Sequence, residues 1–538
     1  MLRITGVALR PGQDESLLPR LAEKKARLKA GDILSFTVVK KSVDARKKED
    51  VHLVYSLDAA VRDENLALKH CARASCTPVP PRPVPAAAPV IRKTPKRRPV
   101  VVGLGPAGLF AAMTLARAGL RPLVLERGQA VGDRRRTVER FHTVGELDPE
   151  CNIQFGEGGA GAFSDGKLTT GIKDPRCRYV LETFRDHGAP EEILFLARPH
   201  IGTDRLPGVI ESIRKEIASL GGEVRFSSRL SGIRTAGGRI EAAMVRGAEG
   251  EEEVPCDMLL LAVGHSADDT QMMLFEAGMQ MMQKPFSVGF RIEHPQDVIN
   301  RAQYGSFASW DALPPAEYHL SAHLKSGRGV YTFCMCPGGQ VVGAASRPGG
   351  VCVNGMSPYL RDGENANAAV LADVRCDDFP DAHPLSGYLL QRMWEERAFR
   401  LGGGCYRAPA MKAGDFLAGR ASKDLGGWVK PTCRPGVTPS DLREALPEGI
   451  VGDLKEGLRI FGRQLKGFDH PEAVLTGVEA RSSCPVRHVR CRGGESSIGG
   501  VWTAGEGAGC AGGIMSAAVD GIRCAEDMLK VYADRGYL

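Results

Sequence analysis

The stretch from Arg98 to Gly128, RPVVVGLGPAGLFAAMTLARAGLRPLVLERG, constrains this chain more than any other. An unbroken apolar strand runs into Gly103, Gly105 and Gly108 at the spacing G-x-G-x-x-G, a helix opens at once, and a second apolar strand follows. In such a unit the first glycine permits the tight turn, the second lets backbone approach a pyrophosphate, and the third lets helix and strand pack closely. The turn, with Pro106 and Ala107 inside it, faces the phosphates with backbone amides and the positive end of the helix dipole. Glu126 and Arg127 close the second strand, and an acid there, 18 residues after Gly108, reaches ribose hydroxyls. The reading is a Rossmann-type unit for an adenine dinucleotide.

The far end of the sequence narrows the ligand to FAD. GGVWTAGEGAGCAGGIMSAAVDGIRCAEDML is again strand, glycine turn and helix. Gly505 and Glu506 follow the strand, and Gly512, Gly513 and Ile514 open the helix. An acid on a returning strand of this type reaches the ribityl chain or diphosphate. The helix N-terminus faces the flavin pyrimidine edge and stabilises the charge gained on reduction. Only the 98–128 unit carries the full strand–turn–helix–strand–acid fingerprint, so NAD(P)H as electron partner would bind without a second Rossmann domain of that type.

At 538 residues the chain is too long for one core, which implies several domains. The expected boundaries are a small basic α/β domain at 1–70, a proline-rich basic linker at 71–98, a FAD-binding domain at 99–279 and 479–538, and an inserted substrate domain at 280–478. The fold class is therefore α/β, a Rossmann-type FAD-binding domain with an inserted α+β domain and a small N-terminal α/β domain. The N-terminal unit reads as strand, helix, strand, strand in LRITGVAL, SLLPRLAEKKARL, DILSFTVVKKSVD and DVHLVYSLDA. Residues 1–99 hold 21 Lys and Arg against 10 Asp and Glu, whereas the remainder holds 50 against 54. The front is thus basic, with Lys40, Lys41, Lys47 and Lys48 near strand ends. That pattern fits a solvated face or contact with an anionic partner such as RNA.

No apolar run is long enough to span a bilayer and no signal-peptide core opens the sequence, so a cytoplasmic protein without membrane contact is expected. The 15 cysteines are odd in number and scattered, which suits reduced thiols. No repeated C-x-x-C and no H-E-x-x-H occurs, so no metal site is expected. The oligomeric state cannot be read from the sequence.

A second glycine cluster, GGAGAFSDGKLTT at 158–170, satisfies G-x-x-x-x-G-K through Gly161, Gly166 and Lys167. A P-loop needs a hydroxyl directly after the lysine to hold magnesium, and that position is Leu168. Another role must explain these glycines.

Several segments together resemble a bacterial family of FAD-dependent dehydrogenases, also called NAD(P)/FAD-dependent oxidoreductases. They are VVGLGPAGLFAAMTLARAGLRPLVLERG, NIQFGEGGAGAFSDGKLTT, PHIGTD, AVGHSADDT, FSVGFRIEHPQ, YTFCMCPGGQVV, NGMS, GVEARSSCPVR and AGEGAGCAGGIMSAAVDGI. The likeness covers nearly the whole chain and extends more distantly to flavoprotein reductases and hydroxylases with a sheet-based substrate domain. It implies that the second glycine cluster wraps the isoalloxazine and ribityl chain, with Gly158, Gly159, Gly161, Ser164, Asp165, Gly166 and Lys167 near FAD, as well as Gly264 at the end of CDMLLLAVG. Cys510, Asp268 and Ala162 depart from the family pattern, which has Tyr, Arg and Thr there.

The resemblance also places the strand VYTFCMCPGG over the flavin ring. Alternation puts Cys334 and Cys336 on one side of it. They are read either as packing residues or as a redox-active pair. The sequence brings no cation beside them to lower a thiol pKa, and their spacing strains a mutual disulfide. Further ionisable candidates are His265, Arg291, Glu293, His294, Glu479 and Arg481, with Arg291 or Arg481 suited to a substrate carboxylate or to a structural ion pair. The leading reading is an oxidoreductase passing a hydride between flavin N5 and a small organic substrate, possible with NAD(P)H as partner. The alternatives are an RNA-associated flavoprotein and a non-catalytic flavin sensor.

Overall fold

A computed structural model describes residues 1–71, 75–81, 93, 95–491 and 493–537. Most of the expected 71–98 linker therefore lies outside the described residues.

Three-residue apolar strands build the nucleotide-binding sheet. Val100–Val102, Leu123–Leu125 and Leu259–Leu261 are buried throughout. A strand buried on both faces suits a parallel sheet covered by helices. The sheet has five strands in the order 501–503, 259–261, 100–102, 123–125, 223–225, each pair parallel. The first and last long segments of this domain thus meet: Val501–Thr503 pairs with Leu259–Leu261, which pairs in turn with Val100–Val102.

The helix Pro106–Arg117 follows the first strand, and the helix Ile514–Asp534 packs along it. Small residues make both contacts close. A Cβ on Gly108 would lie 1.9 Å from the carbonyl oxygen of Gly103, and one on Gly521 would lie 2.0 Å from that of Ala107. Beside the parallel sheet lies an antiparallel sheet of Arg229–Ala236, Arg239–Gly247 and Gly250–Pro255. The third of these, GEEEVP, is almost wholly exposed, and its charges hide it from a pattern search.

The inserted part is a seven-stranded sheet in the order 321–323, 329–336, 365–374, 286–295, 474–479, 408–412, 437–439. Its central strand Phe286–Pro295 is buried over nine consecutive residues, including Arg291, Glu293 and His294. The strand Val474–Glu479 belongs to this sheet and runs one residue beyond the expected boundary at 478.

The N-terminal sheet has the order 33–44, 52–61, 2–9, 76–78, and the helix Leu18–Ala26 buries Leu18, Ala22 and Ala26. Its edge strand docks on the nucleotide-binding part: Lys41 N donates to Phe195 O at 2.8 Å, and Lys41 O accepts from Ala197 N at 2.9 Å. Among the described residues no helix is long and apolar enough to cross a membrane, and no cluster of three or more side chains is suited to a metal ion.

Gly521→Ala forces a methyl against backbone that cannot yield. The helix pair should open, at about the 1–3 kcal/mol typical of overpacking. A lower midpoint of thermal unfolding than the parent chain checks this.

Candidate active site

A cleft of about 240 Å³ lies between the parallel sheet and the inserted sheet. One wall is the fingerprint turn, with Gly103, Gly105, Pro106 and Ala107. Both helices that open there lack a side-chain cap: Gly105 is the N-cap of one and Gly513 of the other. Orphan backbone amides at both N-termini are free for an anionic or hydrogen-bonding ligand. A Cβ built on Gly105 would meet no protein atom nearer than Gly159 Cα at 3.8 Å, so packing alone does not demand glycine there; a ligand filling the cleft would. Gly264 and Gly513 also face open space, but their φ values of +75° and +82° favour glycine by themselves.

Glu126 and Arg127 line one end of the cleft. Glu126 is 4% exposed, and its carboxylate accepts from the amides of Leu104 at 2.8 Å, Gly128 at 2.9 Å and Gly156 at 3.0 Å. A carboxylate has about four acceptor positions, so these three amides leave one for a donor in the cleft. The Arg127 guanidinium lies over the Phe155 ring at 4.0 Å and pairs with Asp269.

The glycine cluster of 158–170 forms a 3-10 turn over Gly159–Phe163, and no α-helix begins before Arg176. A P-loop would continue directly into a helix, so the backbone agrees with the leucine at position 168. Gly159, Gly161, Ser164, Asp165, Gly166 and Lys167 line the cleft. The loop is held from below by Arg134, which the sequence reading missed. This fully buried guanidinium donates to the carbonyls of Asn152, Ile153, Gly156, Glu157 and Gly159 at 2.7 to 3.2 Å. A Cβ on Gly156 would sit 2.3 Å from Arg134 Cδ. Burial draws the Arg134 pKa down to about 10, against the pull of Glu126. It stays charged at neutral pH. No local signal marks it, since Arg134, Arg135 and Arg136 look alike in GDRRRTVER.

Lys167 and Asp165 begin a chain of charges. Lys167 Nζ donates to Asp165 at 2.6 Å and to the carbonyl of Met335 on the opposite sheet. Asp165 also accepts both prongs of Arg361, at 3.1 and 2.5 Å, and Arg361 continues to Glu317 at 2.5 Å. Burial alone would raise the Asp165 pKa, but Lys167 and Arg361 overrule it and hold it at about 2.

The inserted sheet supplies the facing wall through Phe333, Cys334, Asn354 and Glu479. Phe333 is 43% exposed, unusual for so large an apolar side chain, and its exposure is to this cleft. The strand Gly329–Cys336 carries a bulge between Phe333 and Cys336, and Cys334 has φ +43°. The regular alternation expected there is broken: Cys334 lines the cleft, while Cys336 is fully buried behind it. The expected lack of cations is also corrected. A hydrogen bond from Cys336 chiefly lowers the Cys334 pKa, and Lys167 and Arg291 add to that effect from other segments.

Arg291 is buried away from the cleft, donating to the Cys334 carbonyl and to Asn354 at 3.1 Å and lying 3.2 Å from Glu479. Its partner Glu479 keeps a carboxyl oxygen without a hydrogen bond, and burial raises its pKa to about 7 despite Arg291. Glu506 lines the same cleft and is pushed by burial to about 7 as well, with Lys284 opposing. Arg481 grips Glu395 at 2.5 and 2.9 Å, so its fork is spent on an ion pair. His265 lines the cleft next to Ser266, 2.9 Å away, and burial lowers its pKa to about 4. Glu293 and His294 lie elsewhere, bonded to Thr432 and to the Phe468 carbonyl. Gly108, Gly158, Gly505 and Gly512 are outside the lining; the first packs helix on strand.

A family profile described as "FAD-dependent protein, C-terminal domain-like" matches residues 285–482, and a domain of unknown function matches residues 1–60. An uncharacterized protein of Clostridium beijerinckii is 45% identical over 533 residues, covering 99% of both chains. Aklavinone 12-hydroxylase of Streptomyces purpurascens is 32% identical over 179 residues, 31% of this chain and 32% of its own. Among solved structures, the flavin-dependent brominase Bmp2 aligns over 81% of this chain and 79% of its own, at 12% identity and a TM-score of 0.38.

Two outcomes follow from this geometry. Arg134→Met strips five carbonyls of their donor, and the retained flavin should fall at least about tenfold, or 1.4 kcal/mol, read from the absorbance of dialysed protein. Because the Asp165 pKa is depressed on folding, its stabilisation is complete above its unfolded value of about 3.9 and is lost as pH falls toward 2. The gap in urea midpoint between the parent and Asp165→Asn should be constant at pH 5 and above and close below about pH 4.

Proposed function

The chain belongs to a family of FAD-dependent oxidoreductases, and on that footing we propose that bound FAD exchanges a hydride, at its N5, with a small organic substrate lodged against the inserted sheet. The observation that carries this reading is the two-walled cleft, with uncapped helix N-termini on one side and Phe333, Cys334 and Glu479 on the other. Gly105 to Ala107 would take the diphosphate and Glu126 the adenosine ribose. Gly159, Gly161 and Glu506 would take the ribityl chain, and Gly513, Ile514 and Lys167 the pyrimidine edge.

The remaining work falls to this chain's own groups. Lys167, tied to Asp165 and to Met335, is a fixed cation that favours negative charge beside it. Glu479, with a pKa near 7, can hold or release a proton at physiological pH, the property wanted of a general acid or base. Phe333 gives the substrate an apolar face and keeps water from it.

NAD(P)H is retained as an electron partner that would enter from solvent. The RNA-associated alternative finds no support in the N-terminal domain, where Arg3, Arg10, Lys41 and Arg46 pair with Asp58, Asp50, Glu15 and Asp44. Nothing favours a sensor that never turns over.

Purified protein should carry the visible absorbance of oxidised flavin, and anaerobic NADH or NADPH should bleach it. Persistence with both nucleotides would move the electron source to another substrate. Failure to bind FAD even on reconstitution would overturn the proposal.

A further inference from the structure

The cysteines on the facing wall differ from one another in every respect that matters to sulfur chemistry. Cys334 borders the cleft, half-buried, at a left-handed backbone position that a non-glycine residue rarely adopts. Cys336 is sealed behind it, its thiol donating to the Cys334 carbonyl oxygen at 3.2 Å. The bulge produces this arrangement: Phe333 pairs with Ala369 and Cys336 with Asn367, leaving one residue more on the cysteine strand than on its partner. A regular strand would strain a disulfide between residues two apart, but the bulge and the left-handed Cys334 break that geometry and bring the Cys336 sulfur to 3.2 Å from the Cys334 carbonyl oxygen.

Two cations flank the pair and come from different segments. Lys167 reaches across from the glycine loop to the carbonyl of Met335, between the two cysteines, and Arg291 donates to the carbonyl of Cys334. Positive charge favours the thiolate, which is the attacking species in sulfur exchange. One accessible thiol that ionises readily and one buried thiol that does not are the two roles such exchange requires: Cys336 is driven up by its contact with Cys334 and then by burial.

We propose that Cys334 and Cys336 are a redox dithiol that exchanges two electrons with the flavin, Cys334 as the interchange thiol and Cys336 as the resolving thiol, and that the substrate class is a small dithiol. The flavin half of this rests on the function proposed above. In the internal step the Cys334 thiolate and the Cys336 thiol form an S–S bond, the Cys336 S–H breaks, and two electrons pass to oxidised FAD. The proton lost by Cys336 and one from solvent would accompany those electrons, and an oxidised nicotinamide nucleotide would take them onward from a bound flavin. A substrate thiolate then attacks the Cys334 sulfur and releases the Cys336 thiol. The second substrate thiol displaces Cys334, so the substrate leaves as a disulfide and the dithiol is restored.

Holoprotein equilibrated in glutathione buffers from reducing to oxidising, quenched in acid, alkylated and mapped by mass tests the sulfur half directly. A fragment carrying linked Cys334 and Cys336, two hydrogens lighter and unalkylated, is expected at the oxidising end. In Cys336→Ala a glutathione adduct should persist on Cys334. Both thiols remaining alkylatable throughout, or an adduct that the native Cys336 never resolves, would overturn the proposal. Anaerobic dithiothreitol, as the probe dithiol, should bleach the flavin at least tenfold faster in the native protein than in Cys334→Ser, with dithionite as control. Equal rates would overturn electron exchange. Dithionite separates the two failures: no bleachable flavin sinks the FAD reading, whereas bleachable flavin with a never-linked pair sinks the dithiol alone.

Discussion

The cleft depends on one buried cation. Among the described residues no carboxylate lies at hydrogen-bond distance from Arg134; it spends its guanidinium on five backbone carbonyls of the 152–159 loop. A loop with so many glycines loses much chain entropy when ordered, and fixed donors supply an interaction that glycine side chains cannot. The same loop presents Gly156 to Glu126 through its amide, so the Glu126 end and the Gly159 end of the cleft share a support. Charge makes each of those bonds stronger than a neutral one.

Ion pairs tie the two walls to each other. Lys167 and Asp165 belong to the glycine loop, yet one reaches Met335 and the other Arg361, both in the inserted part. Arg481 joins Glu395 of the helix Ser386–Leu401 and also donates to the carbonyl of Ser266 at 3.3 Å. Buried pairs of this kind add little net stability compared with apolar packing, but losing one partner is costly. Their effect is to set the separation between the walls.

Much of the fold was legible because its signals are local. The fingerprint packs strand, turn, helix, strand and acid into residues 98–128, and Gly103, Gly105 and Glu126 all border the cleft. The C-terminal turn with Glu506 and Gly513 could be read in the same way. Long-range contacts were not legible. Arg134 acts on carbonyls 18 to 25 residues away, and the cation beside Cys334 comes from Lys167, whose bond to Met335 spans 168 positions. Regular alternation misplaced the cysteines because a bulge leaves no mark in composition. Arg481 looked available for a substrate until Glu395, 86 positions away, was seen in its fork.

The parallel sheet starts at Val100 and is completed by Val501. During synthesis, at about 5–20 residues per second, the last strand emerges some tens of seconds after the first, about 400 residues later. The inserted sheet, whose seven strands all lie between 286 and 479, has every partner it needs before then. The nascent chain therefore meets an order of events: the insert can assemble early, whereas the early strands must wait with an open edge for their final neighbour. Such a waiting edge is where a chaperone, or a second unfinished chain, would find a place to pair.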